Sequence, residues 1–215
     1  MDKLLKDHIK VVLFDHDDTL VGTIGPKWNQ HKFFARTYYN KDLTDDEIKE
    51  HWGKPLPELV CLLYGTDDAT EAIEYNIKHH ESYPKTLFPH TLEVLKRLRR
   101  DNKKIGVITA TIRFSFEHDL VLHGIPLAQF DYTQTADETH HHKPNPKVFA
   151  PVQDWLKAQN ILPEEVVYIG DGLHDMGAAA GAGFGFIGVE TGLVSPEQFR
   201  QAQAKSIRTI GDIFK

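Results

Sequence analysis

The apolar residues of this chain fall into two rhythms. Val11, Val12, Leu13 and Phe14 form an unbroken apolar run, and "KIGVITAT" (104–111), "EVVYIGD" (165–171) and "FGFIGV" (184–189) contain similar ones. Short continuous runs of this kind predict strands buried on both faces, as in a parallel sheet. Between them the spacing is helical. Leu92, Leu95 and Leu98 recur every three residues in "TLEVLKRLRR", and "FSFEHDLVLHG" closes on Gly124, the residue expected to end that helix. "KVFAPVQDWLKAQN" reads as a helix whose start Pro151 bends or delays. Strand and helix alternating at this spacing predict an α/β fold: a Rossmann-like parallel sheet covered on both faces.

Residues 22–86 break the alternation. "TDDEIKEHW" and "DDATEAIEYNIKHHESY" are polar and amphipathic, and no buried strand is evident. The expectation is a helical insert at 22–86, between the first strand and the rest of a core formed by 1–21 and 87–215. Two of the three tryptophans, Trp28 and Trp52, fall in the insert.

Composition narrows the functional classes. The chain has 215 residues, 40% of them hydrophobic, which suffices for a core plus a small insert. Its formal charge is -6, so nucleic acid is not an expected partner. The single cysteine, Cys61, permits no intrachain disulfide and suits a reducing compartment. The N-terminal "MDKLLKDHIK" is charged throughout and does not read as a secretory signal, and no apolar window is long enough to span a membrane. A cytoplasmic monomer is expected.

The first apolar run ends in a knot of charge: Asp15, Asp17 and Asp18. Ligands of open α/β sheets bind beyond the carboxyl ends of the strands. Asp171 ends another predicted strand, Thr109 and Thr111 end a third, and Lys143 precedes a helix. If those strands are neighbours, Asp15, Asp17, Thr109, Lys143, Asp171 and Asp175 converge. Two carboxylates ~5 Å apart repel by ~3 kcal/mol at an effective dielectric of ~20. Four of them need cations, which one lysine and a divalent metal would supply. Oxygen ligands select a hard ion such as Mg²⁺, which also accepts a phosphate oxygen.

Four segments in order carry a family resemblance that spans nearly the whole chain. "DHDDT" (15–19), "VITAT" (107–111), "HKPNP" (142–146) and "GDGLHD" (170–175) resemble the four motifs of the haloacid dehalogenase superfamily. "WGKPLPEL" (52–59) is similar to the Gly-x-Pro stretch of caps in its phosphoglycolate phosphatase and β-phosphoglucomutase branch. The resemblance implies Asp15 as a nucleophile that becomes an aspartyl-phosphate, and Asp17 as general acid and then base. It implies Thr109 and the Ala110 N–H as phosphate ligands, and Lys143 as the neutralising cation. Asp15, Asp171 and the Asp17 carbonyl would hold Mg²⁺, with Asp175 a further ligand or behind the ligands. The presence of Asp17 favours phosphoryl transfer over carbon–halogen cleavage. Asp18 and Gly22 depart from the branch, which commonly has Gly and Asp at these positions.

Other features read differently. A calcium loop starting at Asp15 would place Leu20 where glycine is required. The run "GAAAGAGFG" follows a helix and precedes a strand, the reverse of a dinucleotide fingerprint, and suits close packing instead. His140, His141 and His142 cannot all face one ion and read as a solvated loop. "KRLRRDNKK" (96–104) reads as a solvated basic helix face. His31 and Trp52 are expected in cap packing or in the substrate pocket, and Lys54 either meets an anionic substrate group or is a surface lysine. The expected activity is Mg²⁺-dependent hydrolysis of a small phosphomonoester, a phosphorylated metabolite, with cap closure setting specificity. A phosphomutase would use the same residues. A phospho-accepting signalling module would share the Asp, Thr and Lys, but not Asp17 or a cap.

Overall fold

The computed structural model describes residues 4–215, apart from the side chain of residue 80; the first three residues of the charged N-terminal stretch lie outside it. The chain divides into two compact units. One contains the chain up to Gly22 and Leu87–Lys215; the other is Thr23–Thr86.

In the first unit, six strands form a parallel sheet in the order β5-β4-β1-β6-β7-β8. They are β1 (Val11–Phe14), β4 (Lys104–Ile108), β5 (Tyr132–Gln134), β6 (Val166–Gly170), β7 (Gly185–Val189) and β8 (Lys205–Ile207). The remaining two, β2 (Val21–Gly22) and β3 (Thr86–Leu87), pair with each other where the chain leaves and re-enters. β5 and β8 are three residues each and too short to leave an apolar run in the sequence.

Alternation along β1 sorts its side chains into two cores. Val12 and Phe14 join Val94, Leu95, Leu98, Phe116 and Leu120, from α5 (Thr91–Arg100) and α6 (Arg113–Leu122). Val11 and Leu13 join Val152, Leu156, Ala178 and Ala179, from α7 (Ala150–Lys157) and α8 (Leu173–Gly181). Both faces being covered, all four β1 residues are fully buried and the strand has no polar side. Pro151 lies in the first turn of α7, which a 3₁₀ turn at Pro146–Phe149 precedes, so the helix starts late. Gly124 has φ +63°, as the end of α6 requires. The alanines of the glycine-rich run pack on the sheet, as expected. A last short helix, α9 (Pro196–Gln201), rests Phe199 in the interior.

The second unit is helical: α1 (Ile24–Tyr39), α2 (Asp45–His51), α3 (Leu56–Tyr64) and α4 (Thr70–Lys78). Its own core holds Phe34, Ile48, Val60, Leu63, Tyr64 and Ala72. Thr44 accepts from the Glu47 N–H while the Glu47 carboxylate accepts from the Thr44 N–H, which fixes the start of α2. Pro55 caps the start of α3 and Gly65, at φ +72°, ends it. Among the described residues, no helix is long and apolar enough to cross a membrane.

Candidate active site

The chain builds outward from β1 in one direction through β4 and β5, then in the other through β6, β7 and β8. The reversal leaves β1 between β4 and β6, in register throughout. Such a switch point opens a crevice at the carboxyl ends of the strands. Asp15 follows β1, Thr109 follows β4 and Asp171 follows β6, so topology brings together three residues far apart in the sequence.

Asp15 is 5% exposed. Its Oδ1 accepts the His16 N–H at 2.7 Å, and its Oδ2 lies 3.0 Å from Lys143 Nζ. Lys143 also reaches Asp175 Oδ1 at 2.7 Å and the Tyr168 hydroxyl at 3.0 Å. That hydroxyl donates to the Ile108 carbonyl at 2.7 Å, just before Thr109. Asp175 stands in the first turn of α8, fully buried, and its Oδ2 accepts the Gly172 N–H at 2.9 Å. Its two oxygens are thus given to Lys143 and to the helix start. Asp17 Oδ2 accepts the Thr111 hydroxyl; Thr109 Oγ1 is farther, at 3.5 Å, and accepts the Thr111 N–H at 3.0 Å. Ala110, between them, is exposed. Asp171 packs against Gly192 so closely that a Cβ there would lie 1.8 Å from its Oδ2, so this position admits only glycine without moving the carboxylate.

Electrostatics follow from burial with one fixed cation. Burial pushes the Asp15 carboxyl up to about 7; Lys143 opposes the shift, and Asp175 and Asp17 add to it. Burial, reinforced by Asp175, Asp15 and Asp18, also drives Asp171 well above the carboxylate range. Burial acts against the Asp175 carboxylate too, but Lys143, His174 and the Gly172 N–H outweigh it and hold Asp175 below its ordinary value. Burial works against the Lys143 charge, yet Asp15 and Asp175 keep it protonated well above the usual lysine value. The site is therefore short of positive charge, since burial works against ionising two of its carboxyls, and a divalent cation would relieve it. The donors are carboxylate oxygens, which suit a hard ion. Among the described residues, the ligand atoms of Asp15, His174 and Asp175 lie within 4.8 Å of one another and could hold a metal ion. Asp17 and Asp171 are outside that group.

Sequence reasoning did not find His16, Asp119, Tyr168 or His174. Asp119 did leave a signal: it falls between Phe116 and Leu120 on the buried face of α6, where an apolar residue is the rule. His140, His141 and His142 are exposed, as a solvated loop requires. In the helical unit, His31 is 3% exposed, hydrogen-bonds Tyr64 Oη at 2.7 Å and meets Trp52 edge-on. Trp52 also packs on Trp28 with ring centroids 5.9 Å apart. Lys54 pairs with Glu58 one helical turn on. Within the basic 96–104 stretch, Arg99 binds Asp131 at 2.7 Å and Arg97 lies over the Phe214 ring, so those two charges are spent within the fold.

The comparisons with known proteins agree with this geometry. The family model of the haloacid dehalogenase-like hydrolases matches residues 12–189. The chain is similar to pyrophosphatase PpaX of Oceanobacillus iheyensis, with 30% identity over 173 residues covering 78% of this chain and 77% of that protein. A solved structure from Bacteroides fragilis, described as a haloacid dehalogenase-like hydrolase, superposes with a TM-score of 0.80 and 32% identity, covering 95% of this chain and 99% of the other. CbbY of Rhodobacter sphaeroides, solved with phosphate, shares the fold at a TM-score of 0.78 and 21% identity, over 95% and 96% of the two chains. A Rossmann-like parallel sheet with a helical insert after its first strand, acidic strand ends gathered at the switch point and this family match lead to one conclusion: the chain belongs to the haloacid dehalogenase-like hydrolases, enzymes of aspartate nucleophile and aspartyl-phosphate chemistry.

Proposed function

We propose that this enzyme is a Mg²⁺-dependent phosphatase acting on a small phosphorylated metabolite, with Asp15 as its nucleophile. One observation carries the reading. Asp15 ends the central strand with Lys143 Nζ 3.0 Å from one carboxylate oxygen, and Asp17 stands two residues on, held by Thr111. In the first step an Asp15 oxygen bonds to phosphorus while the bond to the leaving oxygen breaks, and Asp17 gives that oxygen its proton. Water then attacks the aspartyl-phosphate, Asp17 takes the water's proton, and Asp15 is released as a carboxylate. Lys143 offsets charge on Asp15 and on the transferred group. The Thr109 hydroxyl and the Ala110 N–H bind phosphoryl oxygens. Asp15, Asp171 and the Asp17 main-chain carbonyl would hold Mg²⁺, with Asp175 holding Lys143 from behind. The ion, when bound, supplies positive charge that lets Asp15 ionise and neutralises the phosphoryl oxygens. His31, Trp52 and Lys54 remain the substrate-side candidates of the helical unit, Lys54 through its charge.

A second substrate reading, inorganic pyrophosphate, is favoured by the name of the Oceanobacillus relative. Phosphate release decides between them. The panel is p-nitrophenyl phosphate, two- and three-carbon phosphates, sugar phosphates and pyrophosphate, each with Mg²⁺ or EDTA. Wild type should release phosphate only with Mg²⁺, Asp15→Asn should release none, and Asp17→Asn should be ~10²- to 10⁴-fold slower. Release that survives Asp15→Asn would refute the nucleophile. An isomerised sugar phosphate without free phosphate would identify a mutase. A stable Asp15 phosphate without turnover would identify a signalling module.

A further inference from the structure

His16 lies between Asp15 and Asp17 in sequence, but its ring faces away from the reaction. It is 1% exposed, and its Nε2 donates to Asp119 Oδ2 at 2.9 Å; Asp119 is also 1% exposed. Phe116 meets the ring edge-on, with centroids 5.1 Å apart. The other ring nitrogen, Nδ1, is buried and has no hydrogen-bond partner. Filling space does not call for this pair. Burying an imidazole and a carboxylate costs desolvation that an apolar pair of similar volume avoids. What the bond adds is a fixed length and direction between two elements.

Those two elements carry the chemistry. The backbone of His16 organises the turn after β1: its N–H donates to Asp15 Oδ1 at 2.7 Å, and its carbonyl accepts from Leu20 N at 2.9 Å and Val21 N at 3.2 Å. Asp119 belongs to α6, and the segment leading into α6 carries Thr111, whose hydroxyl donates to Asp17. The 15–19 turn is therefore tied twice to the 109–119 segment, once beside each carboxylate. Resting on the reaction proposed above, we propose that His16 and Asp119 form a positioning pair that fixes where Asp15 and Asp17 stand relative to the Thr109–Thr111 phosphate loop. The pair touches no reacting atom; it acts through the turn.

The test compares His16→Leu/Asp119→Leu with Asp119→Asn, measuring melting temperature, kcat and KM on the best substrate of the panel. An apolar replacement of both partners of a buried pair is commonly neutral or stabilising, so the double variant should fold with a melting temperature near that of wild type. Its kcat should nevertheless fall about 10- to 100-fold, the scale of a carboxylate misplaced by about 1 Å. KM should stay within about 3-fold, because ground-state phosphate contacts remain. Asp119→Asn keeps an oxygen acceptor for Nε2 and should hold kcat within about 3-fold of wild type. A folded double variant with wild-type kcat would overturn the proposal, as would Asp119→Asn proving as slow as the double variant. Should the double variant not fold, His16→Gln, whose amide also donates but from a different position, replaces it: lost kcat at an unchanged melting temperature supports the pair, and full kcat overturns it. A readout without turnover separates this proposal from the activity itself. Beryllofluoride with Mg²⁺ mimics a phosphoryl group on an aspartate; its affinity should weaken about 10-fold or more in the double variant. Equal beryllofluoride affinity in wild type and the double variant counts against the pair. Wild type that binds beryllofluoride but releases no phosphate counts against the phosphatase reading alone.

Discussion

Lys143 has one positive charge to place between Asp15, at 3.0 Å, and Asp175, at 2.7 Å. A flexible four-carbon stem does not fix that position by itself. Tyr168 does part of it: its buried hydroxyl accepts from Nζ and donates its own hydrogen bond to the Ile108 carbonyl. Tyr168→Phe keeps the ring against Phe149 and removes only this bridge. Urea denaturation should show a loss of about 1–2 kcal/mol, because Ile108 O loses its donor and Nζ an acceptor. The kcat should fall roughly tenfold, equivalent to about 1.4 kcal/mol of transition-state stabilisation. Full kcat in a folded Tyr168→Phe would show that the two carboxylates alone hold Lys143. Asp15 and Lys143 were legible from sequence as candidate site residues, and the fold brings them within 3.0 Å of each other. Tyr168 was not, because a tyrosine inside an apolar strand reads as core, and only its neighbours across the sheet reveal what its hydroxyl meets.

At the scale of elements, the apolar runs declared the central strands, since each is covered on both faces. Close approaches between elements are less visible. Gly188 in β7 is an example: a Cβ there would lie 2.7–2.9 Å from three ring atoms of Phe199, which is fully buried on α9. Gly188→Ala would gain a little by restricting the unfolded chain, about 0.4–1 kcal/mol. Forcing a methyl against a packed ring costs about 1–3 kcal/mol, so the net effect should be destabilising. Chemical denaturation monitored by far-UV circular dichroism checks it, and an unchanged midpoint would mean that α9 shifts freely. The same reasoning explains α3. With prolines at its start and Gly65 at its end it is only nine residues long, yet Leu59, Val60 and Leu63 find partners in the helical core, and tertiary packing decides short helices.

Across the whole molecule, each unit has its own core and its own buried ionisable groups, so the two respond to pH differently. In the helical unit, burial lowers His31 to about 4, with the Lys27 charge contributing. The unfolded chain binds a proton at its ordinary value near 6.5, whereas the folded chain resists it. Between those two values the unfolded state holds more protons, so stability falls as pH falls, by up to about 3 kcal/mol once both are passed. Above pH 7 the residue contributes no such slope. Urea midpoints of wild type and His31→Gln at pH 7.5 and 4.5 test this: wild type should lose more stability over that interval than the variant. Equal losses would assign the acid sensitivity to other groups.

Alone, the sequence determined the alternation of buried strands and helices, the polar insert between them, and the acidic residues that close the strands. These are local signals, set by side-chain period and by which residues end an apolar run. The tertiary structure decided the rest. Strand order placed β1 between β4 and β6, which turned dispersed residues into one site. It gave the Asp17 partnership to Thr111, and it put Asp175 behind Lys143. It buried His16 against Asp119 across more than a hundred residues of chain. No period in the sequence encodes such pairings, because hydrogen bonds between distant elements depend on sheet order and on which side of each element faces inward.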